Sequence, residues 1–483
     1  MMQSIFVYDM KRYLLLFLLP LYSIVDSSAY DFEKDGIYYA IKNADNLEVK
    51  VVPKAEFTTS YSGDVTIPES VEHEGNTYRV TEIFINAFAD CQDLTSVVLP
   101  KSIVEVKYNA FLRCAGLKNV VLEEGLINIY PAAFCQCTNL TSVTIPGSVH
   151  WIDTDAFALC TGLQSINMIE GVDTIGPRAF RGCTSLTSVT IPKSVVIIWD
   201  GAFAGCKNLA TLMIPESVKF IEEYAFNGTA WYDSQPDGPV YINDILCQYK
   251  GKIPPGTRLT VREKTSYISG SAFKDQPGLL SVILPEGIPS INNDLFSGCT
   301  GLESVSIPRS VTIIKWNAFK DCTSLSSITL PEKVSSIGSN VFNGCSNLKE
   351  VKCKAVIPPS CPEGCFFGVE QRDCKLYVAE GSVEAYRNAP VWQNFDIIAT
   401  DFSGIEEISA EGSVRIYASG GSIVLENLSP GMPVAVYDTT GHKVKTVEAT
   451  GSRMEVVLPA GFYVVECAGK VEKVMLRALS GRI

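Results

Sequence analysis

Histidine is scarce in this chain: His73, His150 and His442 lie in three separate regions, none with an acid–base partner nearby in sequence. There is no H-E-x-x-H, no G-x-S-x-G, no phosphate loop and no G-x-G-x-x-G fingerprint. Carboxylates alone can hydrolyse glycosides. The acidic pairs Glu123-Glu124 and Glu222-Glu223 fall at turns, however, where solvated surface is the expected state. The residue types therefore point away from an enzyme and require no cofactor.

Cysteine is the more abundant reactive group. Nine of the sixteen, Cys91, Cys114, Cys137, Cys160, Cys183, Cys206, Cys299, Cys322 and Cys345, share one position of a 23-residue pattern. Stacked parallel strands lie ~4.8 Å apart, within disulfide range, but parallel stacking points equivalent side chains the same way. Thr229 and Gln276 fill the same slot, so no crosslink is required there, and these thiols are read as small buried hydrophobes. Cys353, Cys361, Cys365 and Cys374 cluster near the end of the pattern. In an exported chain they are read first as a disulfide cluster, then as free thiols. Zinc ranks last, because only Cys361 and Cys365 have ligand spacing.

The third group is aromatic. Tyr108, Tyr130, Trp151, Trp199, Phe220 and Trp316 appear where sister repeats carry small or polar residues. Such a row could grip a protein loop or stack on sugar rings, since aromatics concentrate at binding hot spots. Packing between adjacent coils is the competing reading. These six are the candidate ligand-binding residues.

The elements that position these groups are set by a beat. Phe88, Phe111, Phe134, Phe157, Phe180, Phe203, Phe226, Phe273, Phe296, Phe319 and Phe342 are spaced 23 apart, except for one gap of 47 after Phe226. A fixed period of this length means one small unit stacked on copies of itself. The copy at Ala179 to Ile198 reads A-F-x-x-C-x-x-L-x-S-V-x-I-P-x-S-V-x-x-I. Its S-V-x-I stretch alternates like a half-buried strand. Pro192 ends that strand, and a second short segment follows at Val195 to Ile198. The A-F-x-x-C stretch predicts one helical or 3₁₀ turn. One repeat cannot bury enough apolar surface to fold alone, so neighbours must supply the rest. If the apolar residues of S-V-x-I point inward, Ser142/Thr144, Ser188/Thr190, Ser304/Ser306 and Ser327/Thr329 form a hydroxyl-rich outer face.

The pattern L-x-x-V-x-I-P-x-S resembles a leucine-rich repeat. The 23-residue form with A-F-x-x-C is similar to the BspA-like leucine-rich repeats of bacterial surface proteins, over about residues 64–350. The resemblance implies a leucine-rich-repeat solenoid of parallel short strands. It also implies an extracellular protein associated with adhesion and host-protein binding.

Along the chain, residues 1–29 read as a signal peptide: Lys11-Arg12, an apolar run from Tyr13 to Val25, and a cut after Ser27-Ser28-Ala29. Met10-Lys11-Arg12 makes a more usual signal opening than the residues before it. Residues 30–80 form an N-terminal β cap with a first half-repeat at Asp64 to Pro68 and a hairpin around Gly75-Asn76. Residues 81–350 carry the repeats. An irregular one at 228–250 contains a hairpin of Val240-Tyr241-Ile242 and Ile245-Leu246-Cys247. Residues 351–400 are a C-terminal cap with a helix from Val383 to Trp392 and Ser382 as its N-cap. Residues 401–483 lose the beat and predict a small β-sandwich. Val434 to Val444 and Leu458 to Val465 resemble the C-terminal sorting-type domains of Bacteroidota secreted proteins. The Tyr-Pro-Asn-Pro element that usually opens such domains is missing.

A net charge of −13 argues against nucleic-acid or anionic-membrane binding, which needs basic stripes. Beyond the leader no stretch could span a bilayer. The expected protein is secreted or displayed on the cell surface and binds a host or matrix protein through the solenoid. The alternatives are a glycan-binding accessory using the same aromatics and a structural envelope protein without a dedicated ligand.

Overall fold

The computed structural model describes residues 30–54, 61–402 and, between 415 and 476, all but 420–421, 427, 429–430, 439–441 and 468–469. The 1–29 leader lies outside the described residues. From the N-terminal cap to residue 400 the chain winds as a solenoid of parallel coils.

The Phe180 coil shows how a repeat folds. Ser188–Thr190 is a strand with Val189 buried and both hydroxyl residues exposed. After Pro192 the chain turns, Val195 and Ile198 point inward, and Ile197–Ile198 forms a second, shorter strand. Within a sheet, a strand pairs with its counterpart one period on: Ser142 with Ser165 and Val143 with Ile166, Trp151 with Thr174 and Ile152 with Ile175. Equal residues therefore sit side by side, and one inward position repeated along the chain becomes a continuous dry column.

The phenylalanines make that column visible. From Phe111 to Phe226 successive ring centroids lie 4.9–5.6 Å apart, with planes 3–11° from parallel. Phe180 is 0% exposed. Tyr61 closes the stack at one end, 4.2 Å from Phe88, and Phe366 extends it to Trp392 and Phe395 at the other.

The A-F-x-x-C stretch is not the expected helical turn. The residues two before and two after each phenylalanine are left-handed: Arg178 (φ 53°) and Gly182 (φ 73°) flank Phe180, and Asn317 (φ 56°) and Asp321 (φ 59°) flank Phe319. These reversals aim alternate amides at the next coil. Arg178, Phe180 and Gly182 donate to the carbonyls of Asp200, Ala202 and Ala204. A 3₁₀ turn would use those amides inside its own coil and leave the stack without its third ladder.

The ladder cysteines do more than fill space. From Cys114 to Cys345, eight of them donate Sγ–H to a phenylalanine carbonyl of the preceding coil, at 2.9–3.3 Å. All sixteen cysteines are free thiols, those of the C-terminal cap included. There Tyr386 donates to Cys353 at 3.1 Å, Cys365 and Cys374 are buried, and Cys361 is half-buried.

The beat slips at the irregular coil. Tyr249 takes the phenylalanine slot after Phe226 but lies 6.3 Å from Phe273 and tilted by 44°. Gly238–Ile242 and Ile245–Lys250 form an antiparallel hairpin, and the second strand pairs with Tyr267–Ile268. The short-strand sheet that began at Phe32–Lys34 ends at Phe220–Ile221. The buried residues divide here as well, into one cluster from Phe32 to Tyr267 and another from Leu246 to Phe395.

The C-terminal cap extends a parallel sheet with Lys375–Ala379 and Asp396–Thr400. Its helix covers only Val383–Arg387, because Pro390 disfavours a helical Ala389, and Ser382 makes no side-chain capping bond. Residues 415–476 form two antiparallel sheets of three and four strands around their own core of Ile423, Leu425, Val434, Val436, Val456 and Val465.

Candidate functional site

In the short strands Asn128–Ile129, Trp151–Ile152, Ile197–Ile198 and Phe220–Ile221 the isoleucine enters the core and its two neighbours face outward. Ile129, Ile152, Ile198 and Ile221 are all buried. Trp151 and Phe220 precede such a residue, and Tyr130 and Trp199 follow one, so all four stand on the outer face of one sheet and are half-buried. Tyr108 occupies the turn after Glu105–Val106, with its ring 5.3 Å from that of Tyr130. Five of the six candidate aromatics thus share one face between the Phe111 and Phe226 coils. Trp316 does not join them. It is 48% exposed beside a separate sheet that includes Ile313–Ile314.

Two aromatics in the same repeat positions escaped the sequence reading. Phe84 lies four residues before Phe88, the slot of Tyr130 and Trp199, and Lys50 covers its ring at 3.5 Å. Tyr267 lies six before Phe273, the slot of Trp151 and Phe220, and meets Phe220 edge-on at 5.1 Å. Counting backward from each phenylalanine would have found both.

The indole of Trp151 lies over Gly176 in the next coil. A Cβ there would stand 2.8 Å from the indole nitrogen and 2.5 Å from the carbonyl oxygen of Ile152. Glycine lets the ring lie close against the sheet. The indole nitrogen of Trp199 is buried and has no hydrogen-bond partner among the described residues.

Charge is arranged at both ends of the row. Tyr130 donates to Glu105 at 2.9 Å, and Lys107 pairs with Glu105 at 2.8 Å while lying 4.3 Å from the Tyr130 ring centroid. Burial works against the Glu105 charge, but the lysine and the tyrosine hydroxyl hold its carboxyl below the usual range. The other end differs from expectation. Glu123 and Glu124 are exposed, but Glu222 and Glu223 are half-buried. Burial raises Glu222 and pushes Glu223 up to about 7. Burial raises Asp200 too, against the pull of Arg178. The turn that carries the glutamates is pressed against the slipped coil, which their position in one repeat could not reveal.

On the longer strands, which fall into four sheets, Ser142, Thr144, Ser188 and Thr190 are exposed, and Ser304, Ser306, Ser327 and Thr329 are half-buried. His73 stacks on Phe32 at 4.0 Å, and His150 bonds the Gly171 carbonyl oxygen, so these histidines serve separate local contacts. Among the described residues no group of three or more His, Cys, Asp or Glu is placed to hold a metal ion, and no helix is long and apolar enough to cross a membrane.

Comparison with known proteins bears on the repeats. The family described as "BspA type Leucine rich repeat region (6 copies)" matches residues 50–186, 173–234 and 257–371. No curated protein matches the chain. Among solved structures, a leucine-rich repeat protein from Bacteroides ovatus is 25% identical, with 77% of this chain and 100% of that one covered and a TM-score of 0.38. A leucine rich cell surface protein from Faecalibacterium prausnitzii is 26% identical, covering 68% and 95%, also at 0.38. The pneumococcal vaccine antigen PcpA is 21% identical, covering 78% and 100%, at 0.39.

Proposed function

The chain belongs to the BspA-type leucine-rich repeat family, and from that premise we propose that it is an exported, surface-displayed protein that captures a host or matrix protein on the outer face of its short-strand sheet. The observation that carries this reading is the aromatic row. Large rings stand at outward positions on or just after the short strands, where repeats ordinarily place small or polar residues, and each leaves part of its surface open. Such rings supply contact area at low cost in side-chain entropy, a property of interface hot spots. The signal-like segment ending at Ala29 supports export. The two-sheet domain at 415–476 is read as the attachment or export module.

A glycan ligand is the second reading, favoured by the same ring faces beside carboxylates. The test uses the full chain and a Trp151→Ala/Trp199→Ala variant on a panel of purified extracellular-matrix proteins and on a glycan array. The expected result is capture of a matrix protein by the native chain and at least tenfold weaker capture by the variant, with little change in thermal unfolding. Equal loss of binding and stability would make both tryptophans packing residues. Binding confined to the glycan array would move the function to the second reading.

A further inference from the structure

The buried core of the array divides into two stacks that meet at one seam. In regular coils the short strands are tied by amides: Trp199 N–H donates to the Ile175 carbonyl and Glu222 N–H to the Ile198 carbonyl, each at 2.9 Å. At the seam that bond changes type. The Ile221 carbonyl accepts from the Ser269 hydroxyl, two coils on in sequence. Tyr267 donates its hydroxyl to Glu222 at 2.5 Å, and Ser271 donates to Glu223 at 2.9 Å. A Cβ on Gly270 would fall 2.2 Å from the Glu223 carboxylate, so the glutamate lies directly against that turn. A narrow crevice lined by Glu222, Phe226, Trp231 and Cys247 runs beside these contacts. The sheet and the apolar core are both interrupted here. Three side-chain hydroxyls hold the short-strand side closed, and two of them end on carboxylates.

We propose that this seam is an articulation whose closure is set by proton occupancy of Glu222 and Glu223, and that through the Phe220–Tyr267 contact it governs the shape of the binding face. The second half rests on the function proposed above. The first half does not.

The charges facing the two glutamates come from every coil around the seam. Asp200 approaches from the Phe203 coil, with Arg178 at 3.7 Å, but Arg178 also holds Asp155 at 2.8 Å. Asp294 approaches from the Phe296 coil and is paired with Lys274 at 3.3 Å. Lys315, from the Phe319 coil, faces both glutamates and favours their charge. Two ionised glutamates beside Asp200 and Asp294 repel one another in a partly desolvated place. The closed seam therefore holds protons more tightly than the open one. Burial leaves Glu223 at about 7, whereas a solvated glutamate lies near ~4.3. A raised carboxyl contributes its stability in full below the solvated value and loses it as pH rises through the raised one. The seam is tight in mild acid and loosens toward pH 8.

Hydrogen exchange of the full chain between pH 5 and pH 8, corrected for intrinsic exchange, tests this. The amides of Tyr249 and Ser269, bonded to the Ala272 and Leu246 carbonyls, report on the coils at the seam. Their opening constant is expected to rise on the order of 100-fold across that range, while the Phe157 and Phe180 amides change little. In Glu222→Gln/Glu223→Gln the rise shrinks below about threefold. A flat native profile, or protection that grows with pH, overturns the proposal whether or not the variant folds. An equal rise in native chain and variant overturns it too. Matrix-protein capture at both pH values separates the two claims. Loss of capture at both, with the seam exchanging as described, removes the binding function and leaves the articulation standing.

Discussion

Phe180 and its equivalents carry the stack because each ring is buried by the ring before and the ring after it. Phe180→Ala removes a fully enclosed side chain, and its neighbours are held by their own ladders and cannot close the gap. It should cost about 3–5 kcal/mol in urea unfolding. The left-handed positions are the quieter requirement. Gly205 has a φ of +72° and only the Gly182 backbone near a hypothetical Cβ, at 3.9 Å. Gly205→Val should therefore show the conformational penalty almost alone, about 1–2 kcal/mol by the same measurement. Gly182→Val should cost more, since its Cβ would also meet Leu159 Cδ2 at 2.7 Å. This requirement was only half legible. Glycine marks the slot at 182, 205, 228, 298 and 344, but Arg113, Gln136 and Leu159 fill it elsewhere with φ of 57–62°. Side-chain type alone hides a backbone need that many residues meet under the pressure of the stack.

Within the elements, the cap and the irregular coil show where local signals suffice. Thr229 ends the Phe226 turn by donating to the Phe226 carbonyl at 2.7 Å, and its oxygen accepts from Tyr232 N–H to cap Ala230–Asp233. Ser382 stands in the comparable place before Val383–Arg387 but makes no capping bond, and its buried hydroxyl has no partner among the described residues. Thr229→Ala should cost about 1–2 kcal/mol, whereas Ser382→Ala should fall within about 0.5 kcal/mol of the native chain in thermal unfolding. The hairpin at 238–250 was legible because alternation and the Asn243-Asp244 turn are local. The seam was not. Glu222 and Glu223 meet Tyr267 and Ser271, 45 and 48 residues away, only because a coil has slipped. A repeat-by-repeat reading treats every coil as equivalent, so it assigned this pair to solvent.

At the scale of the whole molecule, translation explains most of what is seen. A period in sequence became a register in space, and residues at equal phase became faces: rings on the short strands, hydroxyls on the longer ones. The phase of Tyr130, Trp151, Trp199 and Phe220 relative to the nearest phenylalanine already placed them on one face. Trp316, taken with them by type, has the phase of Tyr108 but belongs to the second stack. What a face binds follows from its chemistry and not from the solenoid itself. The most direct test of the central claim is the hydrogen-exchange footprint of the full chain with and without the matrix protein that the panel identifies. Slowed exchange should run along residues 128–130, 151–153, 197–199 and 220–222 and spare the strands at 142–145 and 188–190. A footprint on those hydroxyl-bearing strands, with the aromatic face unchanged, would contradict the account.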